Sequence, residues 1–228
     1  KNDGLISKSD LKKYNPVWRE PLISDYKDTK IITMGPPSSG GLHVIQMLNI
    51  LDNFNLKKIK HNSSEYINLL AETMKYAYAD RSKYLGDPDF YNVPVKKVTS
   101  KKYANEISNN IEIGKAASVE DIYPGKFIEN ESHETTHFSV VDKNGNVVSM
   151  TYTLNSTFGS KVVIKGTGIL MNNEMDDFSA APGIPNQFNL LGAEANQIAP
   201  YKRPLSSMTP TIVLKNNELF FTTGSPGG

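Results

Sequence analysis

At Thr135 the periodicity of this chain changes, and that change limits the folds open to it. Upstream, apolar residues recur at helical spacing. From Thr135 onward β-branched and apolar residues alternate with polar ones, the period of a half-buried strand. Asp142-Lys143-Asn144-Gly145 lies between two such runs and is a hairpin signal. A helical first half followed by a sheet-forming second half predicts one layered arrangement of helices and strands rather than two independent domains.

In the helical half, a short helix is expected near Ser9–Tyr14 and a strand over Lys30–Met34. Gly35-Pro36-Pro37-Ser38-Ser39-Gly40-Gly41 then breaks the chain before a helix whose core face reads Val44, Met47, Leu48 and Leu51. This glycine-rich entry lacks the Gly-Lys-Ser/Thr ending of a phosphate loop and reads as a helix N-terminus. Asn62 with Glu65 resembles a capping box opening a second helix to about Arg81, with Ile67, Leu70, Met74 and Ala77 inward. Tyr84-Leu85-Gly86-Asp87-Pro88 ends it. Another helix is expected over Lys101–Ile107, and residues 109–134 read as a polar surface connection suited to chain cleavage.

In the second half, Val162–Ile164 and Ile169–Met171 continue the β character, and residues 180–203 form a long Pro/Gly-rich loop. A second hairpin joins Thr211–Leu214 to Leu219–Thr222 through Asn216-Asn217.

Composition excludes several functions. The 25 basic and 24 acidic side chains leave a net charge of +1 in 228 residues, which gives no electrostatic footprint for nucleic acid. There is no cysteine, hence no thiol nucleophile, disulfide or thiolate metal site. No apolar run reaches membrane-span length. None of His43, His61, His133 and His137 has metal-ligand spacing. The sequence begins at Lys1 and ends on Ser225-Pro226-Gly227-Gly228, a turn-like stretch, so a fragment of a longer chain is expected.

Thr135 is the first candidate for chemistry. A threonine hydroxyl needs a base, and a free α-amine, with a reference pKa of about 7.7–8.0, is one near working pH. A chain cut just before Thr135 would place nucleophile and base on one residue. By spacing alone the plain reading of Thr135 as a strand residue is the better one, since threonine is common in strands. Thr151, Thr153 and Asn155 share one strand face that calls for hydrogen-bond partners. Asn172-Asn173-Glu174-Met175-Asp176-Asp177 clusters three carboxylates, able to meet an ammonium, a calcium ion or solvent, although the spacing and glycine of a calcium loop are missing. Ser206 and Ser207 offer paired hydroxyls between prolines. Gly224-Ser225-Pro226-Gly227-Gly228 offers backbone amides, either as a turn or as an oxyanion hole.

Taken together, Thr135–Asp142, Tyr152–Gly159, Met175–Phe178, Lys202–Met208 and Gly224–Gly228, with Pro36–Gly41 and Tyr76–Phe90 upstream, resemble the γ-glutamyltranspeptidases, a family also called glutathione hydrolases. The resemblance runs over nearly the whole chain. It implies an α+β fold, the four-layer αββα sandwich of N-terminal nucleophile hydrolases, present here as an internal fragment. Residues 1–134 would be the C-terminal part of a large subunit and residues 135–228 the N-terminal part of a small one. The precursor would cut itself between Glu134 and Thr135, and the two subunits would stay together as a heterodimer.

Carried over by position, Thr135 attacks the γ-amide carbonyl of glutathione or another γ-glutamyl donor. Water, an amino acid or a dipeptide then accepts the γ-glutamyl group. Thr153 orients the Thr135 hydroxyl. Asn155, Glu174 and Asp177 hold the donor's α-ammonium, Ser206 and Ser207 its α-carboxylate, and the Gly227 and Gly228 amides form the oxyanion hole. Glu174 stands where some members have glutamine. Phe188 falls in a lid loop where some members have a tyrosine, whose hydrogen bond phenylalanine cannot make. No cofactor or metal is implied. The family is usually periplasmic, secreted or on the cell surface. The resemblance also implies an arginine before Lys1 and further strands after Gly228, so this polypeptide alone is not expected to turn over substrate. Relatives acting on poly-γ-glutamate or an acylated β-lactam, and a non-catalytic protein on the same fold, are the competing readings.

Overall fold

The computed structural model describes residues 4–118, 122, 135–187 and 190–226. Two antiparallel sheets and a helical layer make up this part. Helix α1 (Lys8–Lys13) is surface-exposed and opened by a Ser7–Asp10 capping box. Strands β1 (Leu22–Tyr26) and β2 (Thr29–Thr33) follow. Then come helices α2 (Gly40–Leu51), α3 (Ser64–Tyr84), α4 (Val95–Val98) and α5 (Lys101–Ser108). Strands β3 (Thr135–Val141), β4 (Val147–Thr153), β5 (Thr211–Lys215) and β6 (Glu218–Thr223) complete the elements.

The first sheet has the order β1-β2-β5-β6, so residues far apart in sequence are neighbours: Ile31 sits opposite Val213 and Thr33 opposite Thr211. The second sheet is the expected β3–β4 hairpin, with Val141 opposite Val147 and Thr135 opposite Thr153. Its turn is held by the Asp142 carboxylate, which accepts the Asn144 and Asn146 amides at 2.8 and 2.9 Å. The β5–β6 hairpin turns through Asn216 and Asn217 with φ of 53° and 63°, which asparagine tolerates better than most residues. The hairpins meet where Ser139 and Thr222 share a hydroxyl hydrogen bond of 3.2 Å.

Helix α2 is central. It packs on α3, α4, α5 and β1, so nearly its whole surface is covered. Its deepest residues are therefore Leu42, Ile45, Gln46, Asn49 and Ile50, not the Val44/Met47/Leu48/Leu51 stripe expected from spacing. Two apolar clusters flank it. One joins Leu42 to Leu85, Val93, Val98 and Leu205; the other joins Ile50 to Leu69, Ala104, Ile107 and Ile111. Two polar side chains on α2 find partners: Gln46 Nε2 donates to Asp80 at 2.6 Å and Asn49 Nδ2 to the Thr99 carbonyl at 2.9 Å.

Several local expectations shift. The capping box at Asn62 does not form. Asn62 takes a left-handed backbone (φ 57°), and Ser63 becomes the N-cap, accepting the Tyr66 amide at 3.3 Å. On α3, Ile67 is exposed and Leu69 is the buried residue. Strand β1 and helix α4 were not expected. Residues 162–171 form a ribbon bridged at Val163 and Leu170 rather than two strands. Part of the long loop is ordered by a buried turn over Glu194–Asn196. Most of the expected 109–134 connection lies outside the described residues.

The entry to α2 is fastened to the segment after Leu205. Ser206 N donates to the Pro37 carbonyl at 2.9 Å, and Ser39 N to the Ser206 carbonyl at 2.8 Å. Glycine is required at the contact. A Cβ on Gly40 would lie 1.6 Å from Thr209 Oγ1 and 2.7 Å from the Ser207 carbonyl oxygen. Gly40→Ala is expected to push these segments apart and cost about 1–3 kcal/mol, read as a lower urea midpoint of the complete protein.

Candidate active site

Thr135 opens β3 half-buried, and its backbone N donates to the Pro226 carbonyl at 2.5 Å. Across the hairpin, Thr153 is the register partner of Thr135, and its Oγ1 accepts the Asn155 amide at 2.9 Å. Asn155 does not continue the β4 face. It turns out of the strand with φ 76° and is buried. Its Nδ2 donates to the Asn173 carbonyl at 3.3 Å. Asn173 in turn clamps the 154–156 segment: its N reaches the Leu154 carbonyl at 3.1 Å, and its side chain pairs with the Ser156 amide and hydroxyl, both at 3.0 Å. Glu174 and Asp177 begin and end the next turn.

These two carboxyls titrate together. Burial, then the hydrogen bond and charge of Asp177, push Glu174 up to about 8. Burial also raises Asp177, while the bond from Glu174 and the charge of Arg81 pull it back. Near neutrality, therefore, Glu174 holds a proton and is the donor of the pair.

The same coupling sets a stability effect. Glu174 ionises near 4.5 unfolded and near 8 folded, so stability is lost as pH rises between those values. Glu174→Gln keeps a donor to Asp177 and cannot ionise. Because Glu174 is partly exposed, screening leaves on the order of 1 kcal/mol. The variant is expected to melt about 2 °C higher than wild type at pH 8 and at the same temperature at pH 4.5, by calorimetry.

On the far side, Ser206 Oγ accepts the Met208 amide at 3.2 Å, and Ser207 Oγ accepts Arg81 Nη2 at 3.4 Å. Asn196 ties this side to the acids: Nδ2 donates to the Asp177 carbonyl at 2.7 Å, and Oδ1 accepts the Leu205 amide at 3.0 Å. The buried Asp87 carboxylate accepts the Arg203 amide at 2.8 Å and holds the same segment. Strand register and hydrogen bonds thus run from Thr135 through Thr153 and Asn155 to Asn173, the neighbour of Glu174, and Asn196 ties Asp177 to Leu205, the neighbour of Ser206.

Glu134, Phe188, Gly227 and Gly228 lie outside the described residues. Arg81, Asn173, Asn196 and Asp87 carried no role in the sequence reading. Asn173 adjoins the carboxylate cluster, which was the one local signal. The other three act on residues far along the chain.

A threonine-opened hairpin beside a second sheet, with helices on the other side of that sheet, is the α+β fold of N-terminal nucleophile hydrolases. A cephalosporin acylase from Bacillus halodurans has this fold over 96% of the chain, with a TM-score of 0.74 and 27% identity, the match covering 36% of that protein. A γ-glutamyltranspeptidase from Helicobacter pylori aligns over 54% of the chain and 35% of its own, with TM-score 0.51 and 46% identity. The gamma-glutamyltranspeptidase family model matches residues 1–228, and the chain belongs to that family. A glutathione hydrolase proenzyme of Escherichia coli is 54% identical over all 228 residues. The chain spans 39% of that relative's length.

Proposed function

We propose that the complete protein is a γ-glutamyltransferase and glutathione hydrolase whose precursor hydrolyses its own Glu134–Thr135 bond. The Thr135 hydroxyl attacks the Glu134 carbonyl, the acyl group passes from nitrogen to oxygen, and water hydrolyses that ester, leaving a carboxylate on Glu134 and the hydroxyl and a free α-amine on Thr135. The amine then takes the proton of the Thr135 hydroxyl as the oxygen attacks the γ-amide carbonyl of the donor. The tetrahedral oxyanion would rest on the Gly227 and Gly228 amides. The leaving amine departs with the proton, and a γ-glutamyl ester remains on Thr135. Water releases glutamate from it, or an amino acid or dipeptide takes the acyl group.

One observation carries this reading. A threonine paired in register with Thr153 lies in one hydrogen-bonded frame with Asn173, which adjoins a half-buried acid pair, and Asn196 ties Asp177 to Leu205, the residue before the serine pair. Carboxylates facing an ammonium, and hydroxyls facing a carboxylate, suit the head of a γ-glutamyl group. Thr153, Asn155, Glu174, Asp177, Ser206 and Ser207 take the roles the family resemblance implies. Residues 1–134 belong to the large subunit and residues 135–228 to the small one, and the subunits form a heterodimer. The location is the periplasm, the cell surface or the medium.

The competing acylase reading draws on the cephalosporin acylase fold match. The acid and serine sets favour a free amino-acid head over it. Mass spectrometry of the complete protein should find a fragment beginning at Thr135, and that preparation should hydrolyse γ-glutamyl-p-nitroanilide faster than an acylated cephalosporin. An uncleaved chain, or preference for the cephalosporin, refutes the proposal.

A further inference from the structure

We infer that Arg81, near the C-terminal end of α3, is a positioning residue that holds the serine pair and Asp177 in register for the two charges of the donor's amino-acid head. This rests on the γ-glutamyl reading above.

The guanidinium is 7% exposed, and a cation so buried must be repaid by fixed partners. Its Nε donates to Ser39 Oγ at 3.2 Å and its Nη2 to Ser207 Oγ at 3.4 Å. Ser39 Oγ passes the contact on, donating to the Ser206 carbonyl at 2.9 Å. One fork thus fixes both residues of the serine pair, one directly and one through Ser39. Arg81 and Asp177 also line one small cavity. The cation favours the ionised form of Asp177 against the burial that opposes it.

The arrangement is bipolar. Arg81 and the N-terminus of α2 put positive potential beside Ser206 and Ser207. The acid turn that ends in Asp177 puts negative potential on the other side. A zwitterionic α-amino acid fits that polarity in one orientation. The groups facing Arg81 are Ser39 and neutral His43 on α2, Tyr78 on its own helix, Ser207, and Asp177. His43 is held uncharged, down to about 3, first by burial and then by Arg81 itself. It therefore adds no competing charge. Lysine cannot reproduce the role, because a single ammonium does not span two hydroxyls as the planar fork does.

The test uses the complete, self-cleaved protein and γ-glutamyl-p-nitroanilide. Arg81→Gln is expected to raise KM on the order of 30-fold, with kcat within about threefold of wild type. Its acid limb of kcat/KM moves to higher pH, because Asp177 loses the cation that keeps it ionised. Arg81→Lys restores the acid limb but only part of KM. Ser39→Ala, which removes one anchor of the fork, raises KM about fivefold without moving the limb. If Arg81→Gln does not fold or cleave, Ser39→Ala and Arg81→Lys carry the test. Unchanged KM in the variants, or equal loss in kcat and kcat/KM with no movement of the limb, overturns the inference. A wild type that cleaves before Thr135 yet never accepts a γ-glutamyl donor removes the functional reading first, and the inference with it.

Discussion

Thr135→Ala in the complete protein is expected to abolish both self-cleavage and turnover. The two losses share one cause. The hydroxyl is the proposed nucleophile in each, and β3 offers no substitute at that place: Thr136 is exposed and points to the opposite face of the strand. Removing a nucleophile in comparable hydrolases costs on the order of 10⁴-fold or more, so the residual rate should fall below detection in a p-nitroaniline release assay. Denaturing electrophoresis should show one uncut chain. Thr135→Ser should retain cleavage at a reduced rate, because it keeps the hydroxyl and loses only the methyl that fixes its rotamer. Cleavage before residue 135 in the alanine variant would assign the chemistry to another group.

Asp177→Asn should weaken the donor's kcat/KM by about 10²- to 10³-fold, the scale of breaking a buried charge pair by removing one partner. Three things are lost together: the anion that meets the α-ammonium, the acceptor of the Glu174 proton, and the charge that compensates Arg81. Self-cleavage should survive, since it involves no donor. A variant cleaved like wild type but saturating only at much higher donor concentration is the expected result, measured by initial rates at pH 7.5. Wild-type KM would show that the acids do not face the donor. The contrast with Thr135→Ala separates chemistry from recognition.

Much of this site was legible before the fold was seen. The Thr135 hairpin could be read because strand period and turn chemistry are local, and β3 and β4 pair across the five residues 142–146. The carboxylate cluster and the paired serines stood out by type. Asn155 was expected on the same strand face as Thr151 and Thr153, but its positive φ takes it off the strand. The inward face of α2 was misread because spacing assumes one apolar neighbour, whereas this helix is enclosed by three helices and a strand.

Sequence alone determined helices α2, α3 and α5, the two hairpins with their turn residues, and the family to which Thr135 and its companions point. It could do so because those signals lie within a few residues of one another. Only the tertiary structure decided that Arg81 reaches across 126 residues to Ser207 and that Asn196 links Asp177 to Leu205. Each depends on burial and on distances between distant segments, and neither is encoded in the spacing of any one stretch.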